Sequence, residues 1–436
     1  MAKNKQIKIA YLLPGSGGTF YCGNCLRDKI FIKSLKDGGH DILMIPMYLP
    51  LNLEEYETES PIFYGAVNIY LEQLHPIFKK LPHWLKKLLD SKSILDFAAR
   101  QSASTNANGH EEMTISMLKG SDGKQSEDLD TLINWLKVHE KPDVVHISNA
   151  LLSGMAKKLK SELNCKVVCT LQDEDEWIDE MRPNYAAETW KIIETNSEHI
   201  DAFIAVSDYF AKLISSKVDI PASKIHVIHN FIGQDYIHTN HLIKPVHSIG
   251  YMSKINSSFG ADLLFDAFAT LKKEEPFSDL RLIYTGGYTD DYKEIVSQIK
   301  KKSKKLGFEK DVEFIHDLSS KGKQKFLESI SLYCVPSRRK EAFGIHILEA
   351  QAYGVPSVMP DIGAYAEIIS KSKAGLLYDP SDPMNLTNTL RELLTNKELY
   401  NELQNNCKTS ISSIFDSTVQ TNKIVAIYKK CLESKE

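Results

Sequence analysis

The chain has 436 residues, 42% hydrophobic and 25% charged, with 53 Lys and Arg against 57 Asp and Glu and a formal net charge of -4. This composition excludes disordered, collagen-like and fibrous classes, and the lack of a basic excess argues against a nucleic-acid partner. The length predicts more than one domain, each with its own core.

At the N-terminus, Met1 to Gln6 is basic, but the apolar run from Ile7 is broken by Lys8 and stopped by Pro14, which is too short for a signal peptide. No later stretch approaches the ~18 to 20 apolar residues of a membrane span. The 7 cysteines are an odd number without regular spacing, so a reducing compartment and no structural disulfides are expected. The expected location is cytoplasmic, soluble or peripheral at the inner face of the membrane.

In chain order, short β-rich apolar runs alternate with helical patterns, as in parallel sheets built from βαβ units. The first series is Ile7–Leu13, Asp41–Ile45, Val144–Ile147, Lys166–Leu171, Ala202–Val206 and Ile225–Ile228. The second is Ser248–Tyr251, Arg281–Thr285, Val312–Ile315, Ser331–Val335, Pro356–Val358 and Ala374–Leu377. An α/β fold of two doubly wound domains follows, over 1–237 and 247–415, with a linker at 238–246 where His238, Thr239, Asn240 and His241 interrupt both periodicities. The tail has helical spacing, and a helix over 416–436 could cross back to the first domain. Arg100–Glu112, rich in Ser, Asn and Ala, reads as a loop.

Two glycine-bearing turns follow strands. Pro14-Gly15-Ser16-Gly17-Gly18-Thr19 would let a ligand approach the backbone at a helix start, although its spacing is not that of a dinucleotide fingerprint. Cys22-x-x-Cys25 has no second cysteine pair at metal-ligand spacing and reads as packing thiols. The stronger signal is Pro336-Ser-Arg-Arg-Lys-Glu341-Ala-Phe-Gly-Ile-His-Ile-Leu-Glu349-Ala350. Here a strand ends at the carboxyl edge of a sheet and a helix begins near Phe343, with Gly344 admitting a phosphate to the first-turn amides. Two acids beside such a site would accept hydrogen bonds from sugar and ribose hydroxyls. Arg338 and Arg339 fit either a phosphate contact or surface charge. His146 and His346, each beside apolar residues, read as core histidines.

The segment from Glu341 to Ala350, followed by Gly354-Val-Pro356, Gly363 and Glu367, resembles the signature of retaining glycosyltransferases of family 4, which have the GT-B fold. Asp143-Val-Val-His146, Ala205-Val-Ser207, Ile249-Gly250-Tyr251 and Gly286-Gly287 extend the resemblance over nearly the whole chain. It implies two Rossmann-like domains facing a cleft, with an acceptor in the first and a nucleotide diphosphate sugar in the second. By this resemblance Glu349 holds ribose, Glu341 holds the donor sugar, and the backbone of Phe343, Gly344 and Ile345 faces sugar or diphosphate. Gly15, Gly17 and Gly18 approach the diphosphate from the other side, with Arg338 as a further donor contact. Glu341 and Lys254 are the expected catalytic residues. Neither a metal nor another cofactor is then required, because fixed dipoles and one or two cations stabilise the leaving group. The implied reaction is transfer of a hexose-type sugar, with retention, to a glycan, a lipid-linked acceptor or a small molecule.

Two positions depart from the family pattern. Lys254 stands at the first of two expected cations, but Phe259 replaces the second, five positions on. Gln172, before Asp173, stands where many members carry a His, so sugar or acceptor contact there falls to Gln172 and Asp173. Asp173-Glu174-Asp175 also matches the Asp-x-Asp of metal-dependent transferases, a reading that two complete βαβ series oppose. A basic and aromatic stretch at 78–89 could meet an anionic membrane, although such a segment is more often an amphipathic core helix with a solvated basic face. The alternatives are a nucleotide-sugar epimerase on the same scaffold and a non-catalytic nucleotide-sugar-binding protein.

Overall fold

The structure is a computed structural model that describes residues 6–14, 23–47, 109–236, 248–287, 292–317 and 319–434. The glycine turn at 15–18, Cys22, the basic stretch at 78–89 and the linker at 238–246 lie outside the described residues.

Two units are present, one comprising the N-terminal strand, Asn24–Ile228 and Thr421–Glu436, the other chiefly His229–Gln420. In the first, β1 (Lys8–Leu13), β2 (Asp41–Pro46), β3 (Val144–Ile147), β4 (Lys166–Leu171), β5 (Ala202–Ala205) and β6 (Ile225–Val227) form a six-stranded sheet in the order β2-β1-β3-β4-β5-β6. Every pairing is parallel. Strands covered on both faces need apolar side chains throughout, and β3 and β5 are buried at every position. Ser207, just past β5, caps the helix Asp208–Lys217 by accepting from Phe210 N at 2.9 Å.

A polar network lies inside this apolar frame. Arg27 Nη1 donates to Asp28 Oδ1 at 2.8 Å and to Tyr11 Oη at 2.9 Å, and its Nη2 donates to Thr170 Oγ1 at 3.0 Å. His146 Nε2 lies 2.8 Å from Thr170 Oγ1, and its Nδ1 lies 2.5 Å from the hydroxyl of Tyr428, carried by the helix Ser417–Glu433. Burial, with the charge of Arg27, pushes the His146 pKa well down. His146 is thus a core histidine, fully buried and bonded at both ring nitrogens. The last helix supplies one of its partners.

In the second unit, β7 (Ser248–Met252), β8 (Arg281–Thr285), β9 (Val312–Ile315), β10 (Leu332–Cys334), β11 (Ser357–Pro360) and β12 (Gly375–Tyr378) form a second parallel sheet, ordered β12-β11-β10-β7-β8-β9. Numbered within the unit this is 3-2-1-4-5-6, the dinucleotide-binding order. Chain direction across the sheet reverses between β7 and β10. The loops leaving these two strands therefore flank the crevice where open α/β sheets bind ligands.

The second unit begins at His229, ahead of the boundary expected at 237. Hydrogen bonding explains the difference: Ile232 N donates to Phe415 O at 3.0 Å, and Ser417 N donates to Ile232 O at 3.1 Å, so His229–Ile232 belongs with that unit. No helix among the described residues is long and apolar enough to cross a membrane. Cys165, Cys169, Cys334, Cys407 and Cys431 are buried free thiols, and burial pushes Cys165 up to about 12.

Candidate active site

The loop after β10 is built by its own hydrogen bonds. Ser337 Oγ donates to Arg339 O at 2.8 Å and accepts from Arg339 N at 3.0 Å, turning the chain out of the sheet toward Glu341. Gly363, at φ +57°, packs so closely that an added Cβ would stand 3.0 Å from Glu341 N. Gly344 then opens the helix Ile345–Ala352 at φ +93°, where an added Cβ would stand 2.8 Å from the Tyr365 ring and 3.4 Å from Glu341 Oε2. Only glycine occupies that conformation and that space without strain. Phe343 and Ile345 flank it, both buried.

Glu341 is the best-supported acid of the loop. Its Oε2 lies 3.3 Å from His346 Nε2, within ion-pair reach but out of line for a hydrogen bond. Tyr333 commits its proton to Met252 O at 2.8 Å, so it accepts from His346 Nδ1 at 2.9 Å and fixes the imidazole. Burial pushes the Glu341 carboxyl up, but His346, Tyr365 and the ammonium of Lys254 outweigh it and hold the carboxyl below the usual range. Glu341 is therefore a carboxylate at neutral pH. His346 is buried, as expected of a core histidine, and also lies beside Glu341 because the helix start turns its Nε2 toward the loop.

Lys254 comes from the loop after β7. Its carbonyl accepts from Tyr251 Oη at 2.7 Å, and its ammonium lies 5.7 Å from the centroid of the Phe259 ring. This loop and the one after β10 are joined by Arg338 N, which donates to Ser258 O at 2.9 Å. The Arg338 guanidinium makes two 2.8 Å bonds to Asp262, at the start of the helix Ala261–Leu271. It is engaged with protein at that place, while the charge of Lys254 bears on Glu341. Glu349 is buried, and its Oε1 accepts from Lys323 Nζ at 2.7 Å, a partner carried by the helix Ser320–Ser329. Glu367 lies 2.5 Å from His229 Nε2, and the His229 ring packs near Phe343 and Phe415.

Sequence reasoning missed Lys323, Tyr365 and His229. Each reaches the site from a separate element, and no local spacing links it to Glu341 or Glu349.

In the first unit, Gln172 Nε2 donates to Ser148 O at 2.8 Å, while its buried Oε1 has no hydrogen-bond partner. Asp173 turns the chain at φ +58°. Glu174 is fully buried with Oε1 accepting from Ala150 N at 2.8 Å, and burial pushes its carboxyl up to about 8. Glu174, the middle residue of the Asp-x-Asp considered from the sequence, is thus turned into the protein. Gly15, Gly17 and Gly18 lie outside the described residues.

Fold and site thus define a two-domain α/β protein whose second sheet presents a carboxylate, an ammonium and a glycine-led helix start at its switch point. The family model described as "Glycosyl transferases group 1" matches residues 239–410, and that of "Glycosyltransferase Family 4" matches 122–236. The chain belongs to glycosyltransferase family 4 and has the GT-B fold. It is 29% identical over 177 residues to mannosylfructose-phosphate synthase of Agrobacterium fabrum, covering 40% of this chain and 39% of that one. It is 28% identical over 150 residues to D-inositol 3-phosphate glycosyltransferase of Corynebacterium urealyticum, covering 34% of this chain and 35% of the relative. The chain thus spans well under half the length of these curated relatives. Among solved structures, HepE of Anabaena in complex with UDP has a TM-score of 0.67 at 16% identity, covering 97% of this chain and 100% of that one. Sucrose-phosphate synthase of Thermosynechococcus elongatus has a TM-score of 0.66 at 15% identity, covering 97% and 98%. At these identities the two structures establish the fold.

Proposed function

We propose that the protein transfers a hexose-type sugar from a nucleotide diphosphate sugar to a glycan, a lipid-linked acceptor or a small molecule, with retention and without a metal. The observation that carries this reading is the Glu341 carboxylate, held ionised among His346, Tyr365 and Lys254 beside the helix that Gly344 opens. Cleavage of a glycosyl phosphate builds positive charge at the anomeric carbon and negative charge on the departing diphosphate. Glu341 accepts hydroxyl hydrogen bonds from the donor sugar and fixes its orientation. Lys254 and the positive end of the helix Ile345–Ala352 stabilise the departing diphosphate, and Glu349 takes the ribose hydroxyls. On the acceptor side, Gln172 and Asp173 contact sugar or acceptor hydroxyls. With no enzymatic nucleophile in the scheme, the acceptor enters on the face the diphosphate leaves.

Support comes from family membership and from the relatives' names, which include a fructose phosphate product and an inositol phosphate; phosphorylated polyols therefore belong among the acceptors to screen. The test offers UDP-glucose, UDP-N-acetylglucosamine and GDP-mannose with an acceptor panel in EDTA, and reads the product anomer by NMR. Transfer with retention is expected. Complete loss under chelation, or an inverted anomer, would overturn the corresponding part of the reading.

A further inference from the structure

The loop after β7 holds one aromatic ring where a second cation would be expected. Phe259 is 5% exposed, and its backbone is fixed at both ends: Phe259 N donates to Asn256 Oδ1 at 3.0 Å, and Phe259 O accepts from Tyr251 Oη at 3.3 Å. The same Tyr251 hydroxyl is bonded to Lys254 O, so one buried side chain sets the positions of both Lys254 and Phe259. Gly260 follows at φ +74°, where an added Cβ would stand 1.9 Å from Pro336 O, so the loop is pressed against the start of the Glu341 loop. Within this frame the Lys254 ammonium lies 5.7 Å from the Phe259 ring centroid and bears electrostatically on Glu341.

An aromatic face attracts an ammonium through its quadrupole without neutralising it. A second cation in the place of the ring would repel it. Given the reading of Lys254 as the cation that meets the donor's diphosphate, we infer that Phe259 is a positioning residue that holds the Lys254 ammonium against its ring. Phe259 itself touches no substrate.

The test replaces Phe259 by its mono-, di-, tri- and pentafluorinated analogues, which withdraw ring electron density with little change of shape. It also uses Phe259→Trp, Phe259→Leu and the same fluorinated series in a Lys254→Met background. The readouts are kcat on the best donor among UDP-glucose, UDP-N-acetylglucosamine and GDP-mannose, the Kd of the tighter of UDP and GDP by calorimetry, and Tm. With Lys254 present, kcat should fall steadily along the series by about 3- to 30-fold in total, Phe259→Trp should retain activity, and Phe259→Leu should lose it. In the Lys254→Met background the dependence of Kd on fluorination should vanish, and Tm should fall less along the series than it does with Lys254 present. A flat series in a chain that turns over its donor, or an equal slope without Lys254, would overturn the inference alone. A wild-type chain that neither binds a nucleotide nor turns over a donor would overturn the site reading and this inference with it.

Discussion

The pairing of Glu349 with Lys323 poses a direct question, because a buried ion pair and a ribose contact make opposite demands on one carboxylate. The two side chains are 3% and 15% exposed and meet at 2.7 Å. Removing one partner of a fully buried pair costs about 3–5 kcal/mol, but Lys323 keeps a path to water, so Glu349→Gln should cost about 1–2 kcal/mol, or roughly 3–6 °C in Tm. Lys323→Gln combined with Glu349→Gln should recover about half of that loss. Ribose binding should behave differently. A charge-assisted hydrogen bond to a hydroxyl is worth about 1.5–3 kcal/mol, so UDP or GDP affinity should fall roughly 10- to 100-fold in Glu349→Gln and stay low in the double variant. Calorimetry and thermal melts on the wild type, both single variants and the double variant separate the two effects. A double variant that binds nucleotide within about twofold of the wild type would reduce Glu349 to a structural role.

Other outcomes follow from the same geometry. Glu341→Ala should lower kcat by about 10²-fold or more while nucleotide Kd changes little, as steady-state kinetics and calorimetry will read; unchanged turnover would remove Glu341 from the reaction. Gly344→Ala places a Cβ at φ +93° against the Tyr365 ring and should cost about 1–3 kcal/mol in denaturant melts and lower turnover as well. Glu174 titrates near about 8 when folded against an ordinary 4.5, so the unfolded chain loses its proton first and stability falls as pH rises through that interval, by up to roughly 1.4 kcal/mol per unit. Glu174→Gln should remove this slope, with its Tm advantage widest above pH 8 and absent below pH 4.5; parallel Tm curves across that range would refute the assignment.

The sheets were legible because parallel strands buried on both faces leave continuous apolar runs. β3, β4, β8 and β9 begin and end where the runs do, and the others shift by one or two residues at one or both ends. The Glu341–Glu349 loop was equally legible, since its glycines and acids are local in sequence. What sequence could not supply was pairing across the fold. Arg338 finds Asp262, 76 positions away, and Glu349 finds Lys323, 26 away, and nothing in either local pattern marks these partners. His346 is in the core as its apolar neighbours indicated, but they gave no sign that one of its nitrogens lies 3.3 Å from Glu341.

The Tyr428–His146 contact has a consequence for biosynthesis. Tyr428 is added 282 residues after His146, so the first unit lacks part of its interior until the helix Ser417–Glu433 is made, whereas the unit ending at Gln420 already has its elements in hand. Loop-closure entropy makes so distant a contact slow to form, and domains made early normally fold early. This chain reverses that order. The half translated first must wait, with His146 lacking its Tyr428 partner, for the helix Ser417–Glu433 to emerge from the ribosome.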